Sequence, residues 1–168
     1  MYDSENRLEG ARYFLTCARK NDINDPRIRW YIQAAASFAI AASEVLAYDH
    51  ARKTGLDVEN LTTNLLGLKD RFKDDKFFGW LCGRLELDLE ESKKSIDGTR
   101  YAFLRRERNR ILHRGEPDKN VKIDISASPI SIFLYFEDWG SESCDVACER
   151  TIRFVESIIS DAKSSCYL

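Results

Sequence analysis

A long alanine-rich stretch, from Pro26 to about Lys53, most strongly constrains how this 168-residue chain can fold. Asp25 before Pro26 is typical of a helix start, because proline suits the first helical position, and Gly55 follows the end of the stretch. Its middle, AAASFAIAASEVLA, is rich in small residues. A neighbouring helix can therefore approach closely along a line through Ala34, Phe38, Ala41, Ala42 and Val45. The stretch predicts a central helix that serves as the scaffold of a helical domain.

Helical spacing of apolar residues also marks both ends of the chain. A first helix is expected to run to about Lys20, capped by Asp3 or Ser4, with its inner stripe at Leu8, Ala11, Leu15 and Ala18. A last helix is expected from Ser143 to about Ser164, and its buried positions are Val146, Ile152, Val155, Ile159 and Ala162.

A third helical region begins at Asp57 and is interrupted near Lys73 and Asp74. The apolar residues of its second piece recur at helical spacing and are interpreted as core rather than as a platform for stacking bases; they are Phe77, Trp80, Leu81, Leu85 and Leu89. His50 lies near the expected end of the second helix. We expect it to be exposed there and to interact favourably with the helix dipole.

Between Val121 and Phe136 the apolar period changes from helical to alternating, with Ser126 to Pro129 between the two alternating runs. This pattern predicts a β-hairpin over about 121–136, and residues 138–143 are interpreted as the loop that follows it. An isolated hairpin is marginal in water, so it must lie on the helices or pair across a dimer. The predicted fold class is all-α: residues 1–168 form one domain, an up-and-down bundle of about five helices with a β-hairpin insertion before the last helix.

The composition narrows the classes of function. The net charge is −2, so nucleic acid can bind only at a local basic patch, and residues 100–114 form the one strong candidate. Five scattered cysteines favour reduced thiols and a cytoplasmic location. Cys144 and Cys148 are four residues apart, but without a second pair they do not predict a zinc site. No run of eighteen apolar residues predicts a membrane span, and no metal or cofactor is expected.

The basic patch lies in the stretch from Thr99 to Gly115, TRYAFLRRERNRILHRG, which we expect Asp97 to cap as a helix. It holds six arginines and one of the two histidines of the chain. Arg108 falls in the middle of the apolar arc formed by Tyr101, Leu104, Ile111 and Leu112. A buried guanidinium is costly unless it is paired or opens onto a cleft. One edge of the helix then presents Arg105, Arg108, Asn109 and His113, although Arg108 snorkelling from a core helix gives the same pattern.

The segment Arg108-Asn109-x-x-x-His113 resembles the signature of the HEPN family, which is an arginine, usually a polar residue, three variable positions and a histidine. The alanine-rich second helix and the closing helix after the motif are similar to that family as well. The resemblance implies a metal-independent endoribonuclease with the catalytic residues Arg108, Asn109 and His113. It also implies that the RNA backbone is bound by Arg105, Arg106, Arg110 and Arg114.

The resemblance implies cleavage by attack of the 2′-hydroxyl on the adjacent phosphate, which leaves a 2′,3′-cyclic phosphate and a 5′-hydroxyl. It further implies a homodimer through the motif helix, and a toxin or defence effector that an antitoxin partner neutralises. Two alternatives stay open. One is a non-catalytic HEPN-like module that binds nucleotide or RNA or interacts with a protein. The other is a helical interaction protein in which Arg108 pairs with a core carboxylate such as Glu44.

Overall fold

The structure is a computed structural model that describes residues 2–21, 25, 27–57, 64–114, 121–124, 131–136 and 140–168, with only the backbone between residues 110 and 141. The described chain is mainly helical, in agreement with the all-α class in its broad sense. In chain order the helices are α1 (Asp3–Lys20), α2 (Arg27–Thr54), α3 (Leu65–Arg71), α4 (Lys76–Arg84), α5 (Ile96–Arg114) and α6 (Cys144–Ser164). One turn of 3₁₀ helix, Glu91–Lys93, precedes α5.

The helices bury the stripes that their spacing predicts. The inner residues of α1 are all buried, as predicted: Leu8, Ala11, Leu15 and Ala18. On α6 the buried residues include Ile152, Val155, Ile159 and Ala162, whereas Val146 is only half-buried. The interruption near Lys73 is confirmed, since a turn over residues 72–74 separates α3 from α4. The described chain therefore has six α-helices rather than about five.

The start of α1 differs from the sequence prediction. Neither Asp3 nor Ser4 caps the helix; their backbone N–H groups instead donate to the carboxylate of Asp49 on α2, at 3.3 and 2.9 Å. The Asp49 side chain is 3% exposed. The sequence around Ser4 could not predict this acceptor, because Asp49 lies 45 residues away along the chain.

The central position of α2 follows from its small residues. Gly10 of α1 lies against the ring of Phe38, and a Cβ atom added to Gly10 would lie 2.5 Å from Phe38 Cδ1. Among the described helices, α2 alone has the length and apolarity needed to cross a bilayer, yet half of its most apolar window is buried inside the molecule. The core helix of a globular protein can be equally long and apolar, so length and apolarity do not by themselves make α2 a membrane span.

Three strands form an antiparallel sheet in the order β1 (Val121–Asp124), β2 (Ser131–Phe136) and β3 (Gly140–Ser143). Val121 pairs with Leu134, and Phe133 pairs with Ser143. The interpretation of residues 138–143 as a loop is therefore wrong for residues 140–143. The sequence of β3, GSES, lacks apolar alternation, and its Glu142 is held by charge instead of apolar burial.

A buried arginine attaches the sheet to the bundle. Arg100 on α5 is 1% exposed, and its Nε and Nη2 donate to the two carboxylate oxygens of Glu142 at 2.7 and 3.1 Å. Its Nη1 donates to Asp97 at 2.6 Å. Arg150 of α6 lies 3.2 Å from the same Glu142 carboxylate. A charge-assisted bidentate pair of this kind fixes geometry as well as distance, so it sets where β3 sits relative to the motif helix.

Candidate functional site

Helix α5 carries the candidate residues, and its start is fixed by Ser95 and Glu86. The hydroxyl of Ser95 accepts from the Gly98 N–H at 3.0 Å, and Glu86 accepts from the Ser95 N–H at 2.6 Å. Asp97 is the second helical residue and not the cap, because its carboxylate binds Arg100. Beyond this start the inward face of α5 buries Tyr101, Phe103, Leu104 and Glu107.

Tyr101 anchors this inward face against α2. Its hydroxyl lies 2.7 Å from Ser43 Oγ, and the residue is fully buried. Burial raises the pKa of Tyr101 to about 12, and the hydrogen bond with Ser43 offsets only part of that effect. The phenol therefore stays neutral at physiological pH. It acts as a fixed point about two helical turns before Arg108.

Arg108 is bound on two sides by described residues. Its Nη1 and Nη2 atoms each donate to one oxygen of Glu44 on α2, both at 2.8 Å. Its Nε and Nη2 also donate to the side-chain oxygen of Asn109, at 3.1 and 2.8 Å. The side chains of Arg108 and Glu44 are 13% and 11% exposed. Arg108 thus pairs with the core carboxylate Glu44, the contact expected under the alternative of a helical interaction protein, and this pairing offsets the cost of placing a guanidinium in the apolar arc.

A second guanidinium lies beside this pair. Arg105 Nε is 3.7 Å from Glu44 Oε1, which is within range of attraction but too long for a hydrogen bond. That Nε is buried without a hydrogen-bond partner, while the Arg105 side chain as a whole is 24% exposed. Glu44 therefore faces two cations with a single negative charge. The three groups together carry one positive charge in excess, close to the surface.

The remaining predicted residues are placed only in part. Arg106 is exposed, and its guanidinium lies 5.8 Å from the ring centroid of Phe103. The backbones of Arg110, His113 and Arg114 belong to α5, but their side chains lie outside the described residues. The structure thus brings together Arg105, Arg108 and Asn109. That the His113 side chain lies on the same edge of α5 as these three residues stays a prediction.

Sequence reasoning missed two buried charges on α5. Arg100 belongs to the predicted basic patch, although its spacing of three residues from Asp97 is a signal for an ion pair within the helix. Glu107 is 6% exposed and lies between the arginines of the motif. Its position in a sequence of alternating charges gave no sign of burial.

His50 is not exposed, in contrast to the sequence prediction. It is 4% exposed, stacks on Phe77 with ring centroids 4.0 Å apart, and lies within an aromatic cluster. Its Nε2 is 2.8 Å from the Asp75 carboxylate, and its Nδ1 is 2.8 Å from the carbonyl oxygen of Tyr167. Both ring nitrogens are therefore engaged in joining α2 to the start of α4 and to the C-terminal segment. His50 is a structural residue and not a candidate for catalysis.

The three buried cysteines do not add a nucleophile to the site. No disulfide joins the described cysteines, and Cys82, Cys144 and Cys148 are buried. Burial raises the pKa of Cys82 to about 11 and that of Cys148 to about 12, so both remain thiols at physiological pH. A protonated, buried thiol is a poor nucleophile.

No protein-family model, curated protein or solved structure matches this chain. The features that bear on function are thus those of the α5 motif and its partners on α2.

Proposed function

We propose that this protein is a metal-independent endoribonuclease of the HEPN type, whose reaction centre includes Arg108, Asn109 and His113. The observation that carries the proposal is the fixed guanidinium of Arg108 with the second guanidinium of Arg105 beside it, a cationic centre at the edge of the motif helix. Arg106, Arg110 and Arg114 extend this charge along α5 and hold the RNA backbone.

The chemistry follows from these residue types. The 2′-hydroxyl oxygen attacks the adjacent phosphorus while an imidazole accepts its proton. The bond from phosphorus to the 5′-oxygen then breaks, and that oxygen takes a proton from an imidazolium, which leaves a 2′,3′-cyclic phosphate and a 5′-hydroxyl. His113 supplies the imidazole, and in a homodimer the two copies of His113 serve as base and acid. Arg108 stabilises the added negative charge on the phosphorane.

Glu44 has a specific part in this proposal. It holds both terminal nitrogens of Arg108, so the guanidinium keeps one orientation before any RNA binds. A preorganised cation loses little entropy when charge develops on the phosphate. Because Glu44 also neutralises one charge, a phosphate must share Arg108 with it. The excess charge of Arg105 makes that sharing favourable.

The test is cleavage of single-stranded RNA by the purified protein in the presence of EDTA. We expect cyclic-phosphate products, and we expect Arg108→Ala and His113→Ala each to lower kcat by at least about a hundredfold. Arg153→Ala is the matched control, because Arg153 is 72% exposed on α6 and pairs only with a surface glutamate among the described contacts. The rate should follow a bell-shaped pH profile centred at about 6 to 7. Wild-type protein that never cleaves RNA would refute the proposal.

A second candidate function is favoured by the same ion pair. Because Arg108 has an internal carboxylate partner, the motif also fits a non-catalytic module that binds RNA or nucleotide, or a helical interaction protein. Binding without turnover would identify the module. A loss of stability in Arg108→Ala, with neither binding nor turnover in the wild type, would identify the interaction protein.

We expect RNA as substrate, a homodimer through the motif helix, and an antitoxin protein that holds the nuclease inactive in the cytoplasm. Co-expression with a neighbouring open reading frame that relieves growth arrest would support the antitoxin. Growth arrest that persists in His113→Ala would show that toxicity does not come from RNA cleavage.

A further inference from the structure

A surface pocket of about 500 Å³ lies between α1 and α2, outside the candidate site. Sites for small ligands typically have volumes of about 300 to 1,000 Å³. Half-buried side chains of α2 form its apolar wall, which consists of Phe38, Val45 and Tyr48. Polar side chains complete the lining and include Arg7 of α1 and Arg52 of α2. The pocket thus combines aromatic rings with guanidinium groups, which is the chemistry that recognises a nucleotide.

The ring of Phe38 is held in place by three residues of α1. It packs directly on Gly10, and the ring of Phe14 meets it edge to face with the centroids 5.3 Å apart. The guanidinium of Arg7 lies over the ring, 5.4 Å from its centroid. Nucleic-acid bases stack on aromatic rings and on the planes of guanidinium groups. Phe38 and Arg7 therefore form a stacking surface that is already ordered before a ligand binds.

The two arginines of the pocket differ in how far their charges are compensated. Arg52 pairs with Asp3 at 2.6 Å and lies 3.8 Å from the buried carboxylate of Asp49. Arg7 is exposed, and no ion pair within the described ranges includes it. The pocket therefore offers one uncompensated positive charge beside an aromatic wall. This combination fits a single nucleotide, whose base stacks while its one phosphate pairs with the cation.

The pocket and the candidate site lie on two sides of the same helix. Successive side chains of a helix differ in direction by about 100°, so Glu44 and Phe38 point about 120° apart and Tyr48 points between them. Val45 follows Glu44 directly, so the pocket and the ion pair lie at the same height along α2. The distance between them is about one helix diameter, about 10–12 Å. Neither Val45 nor Tyr48 is charged, so α2 places no carboxylate in the path of a strand that crosses from Arg108 to the pocket.

We propose that the pocket between α1 and α2 binds one unpaired nucleotide of the RNA substrate, close to the phosphate that Arg108 holds. The base stacks against Phe38 and the face of the Arg7 guanidinium, and the edge of that guanidinium donates to a backbone phosphate. This assignment rests on the proposed function and adds a substrate class to it. The substrate is single-stranded at this position, because a paired base enters such a pocket only at the cost of leaving its stack.

The phosphate contact is tested by fluorescence anisotropy of the full chain with a labelled single strand of RNA. The 2′-hydroxyls of the strand are methylated, so it binds without being cleaved. We expect Arg7→Gln to weaken binding and to make the plot of log affinity against log salt concentration shallower by about 0.7, because one phosphate contact is lost. Arg71→Gln is the matched control and should leave the slope unchanged. Arg71 is also exposed and lies 5.4 Å from the centroid of a phenylalanine ring, that of Phe72, but it belongs to α3.

The stacking contact is tested with the same methylated strand made without bases. The wild type should bind the strand with bases at least about fivefold more tightly, and Phe38→Leu should remove this preference. Thermal unfolding verifies that each variant is folded.

An unchanged salt slope in Arg7→Gln, or an unchanged preference for bases in Phe38→Leu, would overturn the proposal. Adenosine monophosphate that binds as tightly as the strand would assign the pocket to a free nucleotide and also overturn it. The methylated strand cannot be cleaved, so the two proposals can fail separately. A protein that binds this strand as expected but never cleaves unmodified RNA would refute the ribonuclease and not the pocket.

Discussion

Replacing Arg108 by alanine should destabilise the protein strongly, whatever it does to activity. The change removes both hydrogen bonds to Glu44 and leaves that carboxylate in a site where its side chain is 11% exposed. Removing one partner of a buried pair costs about 3–5 kcal/mol, because the remaining charge keeps its desolvation penalty.

Two features of the site lower this figure. Arg105 Nε lies 3.7 Å from Glu44 Oε1 and can move closer to it. The side chains of Arg108 and Glu44 are also partly exposed to solvent. We therefore expect a loss of about 2–4 kcal/mol in the free energy of unfolding. For a domain of this size each kcal/mol lowers Tm by about 2–4 °C, so Tm should fall by about 4–16 °C.

Calorimetry and urea unfolding of the apo protein give the measurement. Arg106→Ala is the control on the same helix, and because Arg106 is exposed its unfolding free energy should change by no more than about 0.5 kcal/mol. The pair Arg108→Met with Glu44→Leu should recover most of the loss, since it removes both charges at once. If Arg108→Ala unfolds like Arg106→Ala, the ion pair does not constrain the fold and the argument from burial is wrong.

Three further predictions concern other parts of the molecule. Glu142→Gln should speed hydrogen exchange of the β3 amides and lower the unfolding free energy by about 1–3 kcal/mol, since it weakens the ion pair that attaches the sheet to α5. Gly98→Ala should lower Tm by a few degrees, because the added Cβ lies 2.6 Å from the Glu86 carboxyl carbon; in Gly79→Ala the added Cβ meets nothing within 4 Å, so Tm should not fall. Burial by itself raises the pKa of Asp145, but hydrogen bonds from Ser143 and Arg19 outweigh it and lower that pKa below its ordinary value. Its stabilisation is thus present above the unfolded pKa of about 3.9 and lost at lower pH, and acid unfolding of Asp145→Asn should show a weaker pH dependence.

The apolar stripes of α1 and α6 could be predicted because helical periodicity is a local property. Leu8 and Leu15 recur at helical spacing, so the sequence alone places them on one face of α1, and both are buried in the folded chain. The pairing of Arg108 with Glu44 spans 64 residues, yet it was also predictable. A guanidinium within an apolar arc requires a partner, and α2 offers few charged residues that could reach it.

Features that depend on an unknown tertiary partner could not be predicted. Arg100 is buried because Glu142, which is 42 residues away, lies on a strand whose polar sequence resembles a loop. His50 is buried because the C-terminal segment folds back over it, and Tyr167 supplies the carbonyl that its ring binds. For the candidate site, the sequence indicated which helix carries the positive charge. That Glu44 accepts hydrogen bonds from both terminal nitrogens of Arg108 could be seen only in the structure.

The carboxylate of Asp49 at the start of α1 bears on how this chain acquires its structure. Because the acceptor of the Asp3 and Ser4 amides belongs to another helix, these two amides gain their partner only when α1 lies against α2. An isolated helix of eighteen residues is marginal in water even when it is well capped. We therefore expect α1 and α2 to gain their order in a single cooperative step, so a peptide of α1 alone should be largely unstructured while a fragment of both helices is not.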